Sequence, residues 1–484
     1  MTNKLKLLTI IFLLVTIILS GLLYRSSFNA YFFQDDWFSL RISRVNTISD
    51  FLSFFVPRTD VIYYKPLGMQ IPFFINSRLF GINPFAFHIF SFITHCLNMV
   101  LVYVLINLLF KKRIIALLAA FFYGTSLIHY INFYWFAAYS LVFIVTAFLS
   151  TFIFFILYTQ KKDRKYYYLS FMSFFLGIFI NELYLVTPFI LICYLLYSKK
   201  LKYINRVLPF IFVGIIPFVI RFILFSPPLE GDYQISLGLH ILNNLKGFLL
   251  WSFNWPEDLK AQFINFFTIN PLFRKDFPIY YQVLIITLVI NLQLLFLIPV
   301  IFLIKRIKKS IQLIILGVLW FIIGLGPVIF FTSHSFSYFL PIPLIGLLLV
   351  GSFYFYSFLL NLHKYPSLQY ICILLLLINW VFGIKSGIDF NDDVHWVRHR
   401  SIISKVVIND LISRYPNINT ISEKVYVPND PYLKVILSDN EAFKVVYNDI
   451  DVKTFYYGEL KNHWITINED EKYRIDRLKL NYIE

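Results

Sequence analysis

The strongest chemical signal in the chain is the run Gln34-Asp35-Asp36-Trp37, about ten residues beyond an apolar block that ends at Tyr24. Two adjacent carboxylates stand among Tyr31, Phe32, Phe33, Trp37 and Phe38. Like charges repel and apolar surroundings disfavour ionisation, so one carboxyl is expected to titrate high enough for general-base work. The same oxygens could instead hold a divalent cation such as Mg or Mn, with Glu182 as a further donor. A third reading needs no chemistry: the pair caps a turn before a helix starting near Trp37.

Other candidates lie far apart in the chain. Lys65, flanked by Tyr63 and Tyr64, is suited to a phosphate or to lipid headgroups. Arg221 stands among Val219, Ile220, Phe222 and Ile223. A charge at the centre of a spanning helix costs roughly 2.5–3.5 kcal/mol and less near its end, so Arg221 either serves function or snorkels to the surface. Glu182 interrupts the apolar stretch 166–197, and His334 tops a short turn that also holds Tyr338. His88 and His95 share one helical face and read as hydrogen-bonding groups inside a bundle. No phosphate loop, Gly-x-Ser-x-Gly or His-Glu-x-x-His run occurs.

The elements that must position these residues are membrane helices. Of 484 residues, 58% are apolar and only 14% charged, against roughly 25% charged in soluble domains. That excludes a soluble multidomain protein, a disordered chain and a disulfide scaffold. Cys96, Cys193 and Cys372 all fall within apolar blocks, so no disulfide is implied. The net charge of +16 does not signal nucleic acid. Residues 1–387 hold 30 Lys+Arg against 11 Asp+Glu, the surplus lying in short gaps between apolar blocks, while residues 388–484 hold 13 against 16.

A span takes roughly 20 apolar residues. The blocks predict eleven: 5–24, 86–110, 114–130, 136–158, 166–182, 183–197, 205–226, 280–304, 311–331, 337–360 and 369–386. The stretch 166–197 is split because one helix of that length would reach almost 50 Å across ~30 Å of hydrocarbon. With the N-terminus inside, Lys4 and Lys6, Lys111–Arg113, Lys161–Lys165, Lys199–Arg206, Lys305–Lys309 and Lys364 all fall on the cytoplasmic side, as the positive-inside rule requires. The first block has no small-residue cleavage site at Tyr24-Arg25 and reads as a retained anchor. The loops 25–85 and 227–279 and the tail 388–484 then lie outside, where the chemistry is expected. The tail reads as a small α+β unit, with a helix over 396–414 and strands at 424–427, 443–447, 454–457 and 464–467. Its expected role is packing or acceptor docking. The aromatic centre of 227–279, with Trp251 and Trp255, reads as an interfacial anchor or as a helix that shapes an entrance for a lipid chain.

The layout resembles the GT-C superfamily of integral-membrane glycosyltransferases, among them protein O-mannosyltransferases and lipid A aminoarabinose transferases. The resemblance rests on Asp35-Asp36 after the first span, on Tyr64-Lys65-Pro66-Leu67, and on Phe80-Gly81-Ile82-Asn83-Pro84-Phe85-Ala86-Phe87-His88 leading into the second span. It rests also on Asn181-Glu182 ahead of Thr187-Pro188, where many relatives have Lys-Glu. It implies a multi-pass protein of the bacterial plasma membrane with an extracytoplasmic active site and a polyprenyl-phosphate-linked sugar donor. It further implies Asp35 as base, Asp36 as accessory carboxylate or metal ligand, and Lys65, Glu182, Arg221, His334 and Tyr338 around the substrate. The acceptor, a glycan, lipid or protein hydroxyl, is left open. A transporter or flippase, and a polymerase or ligase, for a lipid-linked glycan are the alternatives. A transporter would place charges deep in several spans, and here the polar groups gather at one face.

Overall fold

The computed structural model describes residues 3–58, 64–224, 233–303, 307–326, 328–414, 416, 424–428, 430–448 and 453–457. Among them, six helices are long and apolar enough to cross a membrane: Asn3–Leu23, Pro84–Phe110, Phe136–Lys161, Pro278–Ile301, Pro341–Asn361 and Pro366–Val394. A seventh span results if Arg113–Thr125 and Leu127–Tyr134, bent by 42° at Ser126, count as one. The protein is a multi-pass, predominantly helical membrane protein.

The apolar blocks lead to an expectation of eleven spans; six, or seven with the bent pair, have the length and composition of a span among the described residues, and shorter apolar helices stand beside them. The expected break within 166–197 is present. The blocks 166–182 and 183–197 form helices Arg164–Gly177 and Val186–Tyr197, of 14 and 12 residues. At 1.5 Å per residue these reach only about 21 and 18 Å. Between them the chain turns at Ile178–Asn181, and the Asn181 side chain accepts from the Leu183 N–H to start a 3-10 turn over Glu182–Leu185. The block 311–331 yields an apolar helix ending at Leu325, and 205–226 a helix over Leu208–Leu224 with Pro217 inside it.

Burial sorts the helices. In Phe136–Lys161, 72% of the apolar window is covered by protein, whereas in Asn3–Leu23 only 17% is. The first is the hub, packed on Pro84–Phe110 and Arg164–Gly177; the second turns Leu7, Ile11, Leu14 and Ile18 outward. Lipid solvates such faces as well as protein does, so close helix approach depends on small residues. Gly317 and Gly346 supply one such crossing: a Cβ on either would come within 2.6 Å of the other's carbonyl oxygen.

The tail does not stand apart. A helix over Trp396–Arg414 forms as expected and lies on the first loop, with Ser401 Oγ accepting from the Tyr31 N–H (2.7 Å) and Ser404 Oγ from the Trp37 indole (3.2 Å). Residues 443–447, expected as a strand, lie mostly in the helix Glu441–Val446, whose Glu441 pairs with Arg41. Pairing that acid with the first loop is a tertiary gain that strand propensity could not foresee. Lys424–Pro428 and Lys453–Tyr457 pair as two parallel strands. The expected strand 464–467 lies outside the described residues.

Candidate active site

Asp35 opens the helix Asp35–Ile42, and the residue before it is strained. Gln34 has φ 51° and ψ −125°, a left-handed conformation that costs a non-glycine residue about 1–3 kcal/mol. Three contacts hold it there. Its N–H donates to the Ile436 carbonyl (2.6 Å), its carbonyl accepts from the Trp37 N–H (3.1 Å), and its Oε1 accepts from Arg400 (2.6 Å). Two of the three partners come from the tail.

The two neighbouring carboxylates have different surroundings. Asp36 is buried, its Oδ1 accepting from the Ala137 N–H (2.7 Å) and its Oδ2 from the Phe33 N–H (3.2 Å). It ties the turn Phe136–Ala138 to the aspartate loop. Burial drives its pKa well up, against the downward pull of those two N–H groups, and Asp35 adds to the rise. Asp35 is half-buried, and no hydrogen bond from a described residue reaches its carboxylate. Burial raises its pKa too, while the nearby cations Lys65 and Arg400 pull it back. The geometry therefore gives Asp36 a bracing position and Asp35 the open one.

Lys65 is brought to Asp35 by a close approach of two loops. The Leu67 N–H donates to the Phe179 carbonyl (3.0 Å), and a Cβ on Gly68 would sit 2.1 Å from the Ile180 carbonyl oxygen, so only glycine fits. The same contact carries Asn181 and Glu182, and Asn181 is fixed by its amide donating to Ser140 Oγ (3.0 Å). On the far side His334 Nε2 and the Tyr338 hydroxyl are 2.8 Å apart.

These groups line one cavity of about 340 Å³: Asp35, Lys65, Glu182, His334 and Tyr338, with Trp135 and Tyr233. Five residues expected to surround the chemistry are thus drawn together from four separate stretches of chain. Arg221 lies in the helix Leu208–Leu224, but its side chain falls outside the described residues. His88 and His95 stay inside the bundle, bonded to the carbonyls of Ala30 (3.0 Å) and Gly124 (2.9 Å). The residue that sequence reasoning missed is Arg400. It stands 366 positions from Gln34 on a helix whose exposed charges look interchangeable, and no local pattern marks it.

A divalent cation fits this donor set poorly. Both Asp36 oxygens are engaged by backbone N–H groups, and among the described residues no three His, Cys, Asp or Glu side chains gather as a metal site. Hard cations such as Mg take six oxygens in a near-octahedral shell.

Asp36→Ala strands two buried N–H donors at about 1–3 kcal/mol each, so a lower thermal unfolding midpoint is expected in detergent, with Asp36→Asn between it and the parent. Arg400→Met releases Gln34, and roughly tenfold slower turnover is expected at unchanged fold. Adding Gln34→Gly should recover part of it, because glycine holds positive φ without strain. An Arg400→Met protein as active as its parent would show that Gln34 needs no such hold.

No curated protein matches this chain in sequence. Among the solved structures that resemble it distantly are two of ArnT from Cupriavidus metallidurans. The undecaprenyl phosphate complex is 12% identical, with 94% of this chain and 86% of that one covered and a TM-score of 0.48. The apo state is 11% identical, with 95% and 87% covered and a TM-score of 0.49. Residues 66–229, about a third of the chain, match the family model of dolichyl-phosphate-mannose-protein mannosyltransferases, and this match bears out the resemblance to GT-C glycosyltransferases.

Proposed function

We propose that this protein is an inverting glycosyltransferase that takes a sugar from a polyprenyl-phosphate donor and adds it to a hydroxyl acceptor on the extracytoplasmic side of the membrane. The observation that carries the reading is the single cavity in which an open carboxylate, Asp35, meets a lysine, Lys65, beside His334 and Tyr338. The acceptor oxygen forms a bond to the anomeric carbon as the bond from that carbon to the phosphate oxygen breaks. The electron pair stays on the phosphate, and the acceptor proton passes to Asp35. A phosphate leaving group needs no strong acid, but the negative charge it gains must be met, and Lys65 is placed to meet it. One displacement on the face opposite the leaving group inverts the anomeric centre. Glu182 and the His334–Tyr338 pair orient the sugar and the acceptor.

The test is transfer from a panel of radiolabelled polyprenyl-phosphate hexoses and pentoses in membranes that contain the full-length protein. Incorporation into an acceptor fraction from at least one donor is expected, and an equal rate in EDTA and in Mg²⁺ or Mn²⁺, since the donor set favours a lysine over a metal. Membranes that move intact lipid-linked sugar across the bilayer with no transfer would replace this reading with transport.

A further inference from the structure

A second cavity, of about 280 Å³, lies between the loop 233–279 and the turn 332–338. Its walls include Trp251 and Trp255, with Asn243, Gln262, Ser333 and Ser335 supplying amides and hydroxyls. The single ionisable side chain lining it is Lys246, which is already engaged. Its ammonium donates to the carbonyls of Asn265 (3.0 Å) and Phe266 (3.3 Å) and lies 4.5 Å from the centre of the Phe263 ring. The first cavity, by contrast, holds two carboxylates, a lysine and a histidine.

This composition selects the ligand. A cation finds no carboxylate in the lining, and an anion finds one lysine whose ammonium is turned toward two backbone carbonyls. An acyl chain would leave amides and hydroxyls without partners. A neutral ring with an apolar CH face and a rim of hydroxyls satisfies both kinds of wall, the indoles taking the face and the amides the rim. Gly247 stands beside Trp251 in the cavity wall, where a Cβ would rest against the indole at 3.5 Å, so any longer side chain at this position would fill this part of the cavity.

The two cavities share a wall. Ser333 and Ser335 line one, His334 and Tyr338 the other. The turn that separates them is held by Glu257, whose Oε2 accepts from the Ser337 N–H (2.5 Å) and whose Oε1 lies 3.3 Å from His395 Nε2. We propose that the second cavity binds a neutral saccharide, and that this saccharide is an outer unit of the acceptor glycan, whose reacting hydroxyl lies on a further unit beyond the turn, in the cavity of Asp35. The saccharide site stands on its own geometry; its role as acceptor rests on the transferase reading above.

Saturation-transfer NMR on the full-length protein in nanodiscs tests the site, with maltohexaose, cellohexaose and mannohexaose as probes and a Ser/Thr-rich peptide and inorganic phosphate beside them. Saturable binding of at least one oligosaccharide is expected, weakened tenfold or more by Gly247→Leu, which covers the Trp251 ring. Asn243→Ala, at an exposed helix position in the cavity wall, should weaken it about threefold. No oligosaccharide binding, binding indifferent to both cavity variants, or peptide or phosphate bound in place of sugar would overturn the proposal. Saccharide binding that persists where the donor panel shows no transfer would remove the transferase reading and leave the site.

Discussion

Asp35→Asn is expected to lower the transfer rate by about 10²–10⁴-fold, the range for loss of a general base, or roughly 3–5 kcal/mol of barrier. The amide keeps the volume and loses the basic oxygen. Because no hydrogen bond from a described residue holds the Asp35 carboxylate, the variant should unfold at the same temperature as its parent, in contrast to Asp36→Ala. The pH dependence gives an independent check. Burial raises the Asp35 pKa above the ordinary carboxylate value near ~3.9, and Lys65 and Arg400 pull it partly back. The base works as a carboxylate, so kcat/KM is full above the raised pKa and falls as pH drops through it. That acid limb should disappear from the residual activity of Asp35→Asn. Full activity with an unchanged acid limb in this variant would move the chemistry to another group.

The second large effect is expected at Lys65. Removing a donor that meets developing charge costs about 10²–10³-fold in kcat, and Lys65→Met should fall in that range. The substitution also removes the first of the two cations that lower the Asp35 pKa. The acid limb of kcat/KM should therefore move to higher pH in Lys65→Met and stay near its original place in Lys65→Arg. A lysine that merely rests against lipid headgroups would change neither kcat nor the pH profile. Gly68, packed on the Ile180 carbonyl, fixes the loop that carries position 65.

Much of the site was legible in the residues themselves. A carboxylate pair just past the first apolar block, a lysine in the same loop, an acid that interrupts a long apolar run and a histidine on a short turn are each costly or unusual in a membrane chain, so local chemistry marks them. The helical character and the membrane class follow directly from apolar blocks with basic gaps. The break at Asn181-Glu182 was legible too, as polar residues inside an apolar run, whereas the bend at Ser126 was not, because packing sets it and apolarity does not report packing.

What the sequence alone determined is the inventory: the class of protein, the groups able to do chemistry and their order along the chain. Which of two adjacent aspartates stays open was decided by tertiary structure. Asp35 and Asp36 have the same side chain and nearly the same neighbours in sequence, but only Asp36 meets the Ala137 N–H, 101 residues away. Arg400 and Ile436 likewise impose a strained backbone on Gln34 from a tail that carries no motif of its own. Such contacts join residues hundreds of positions apart, and burial, not residue type, sets their strength.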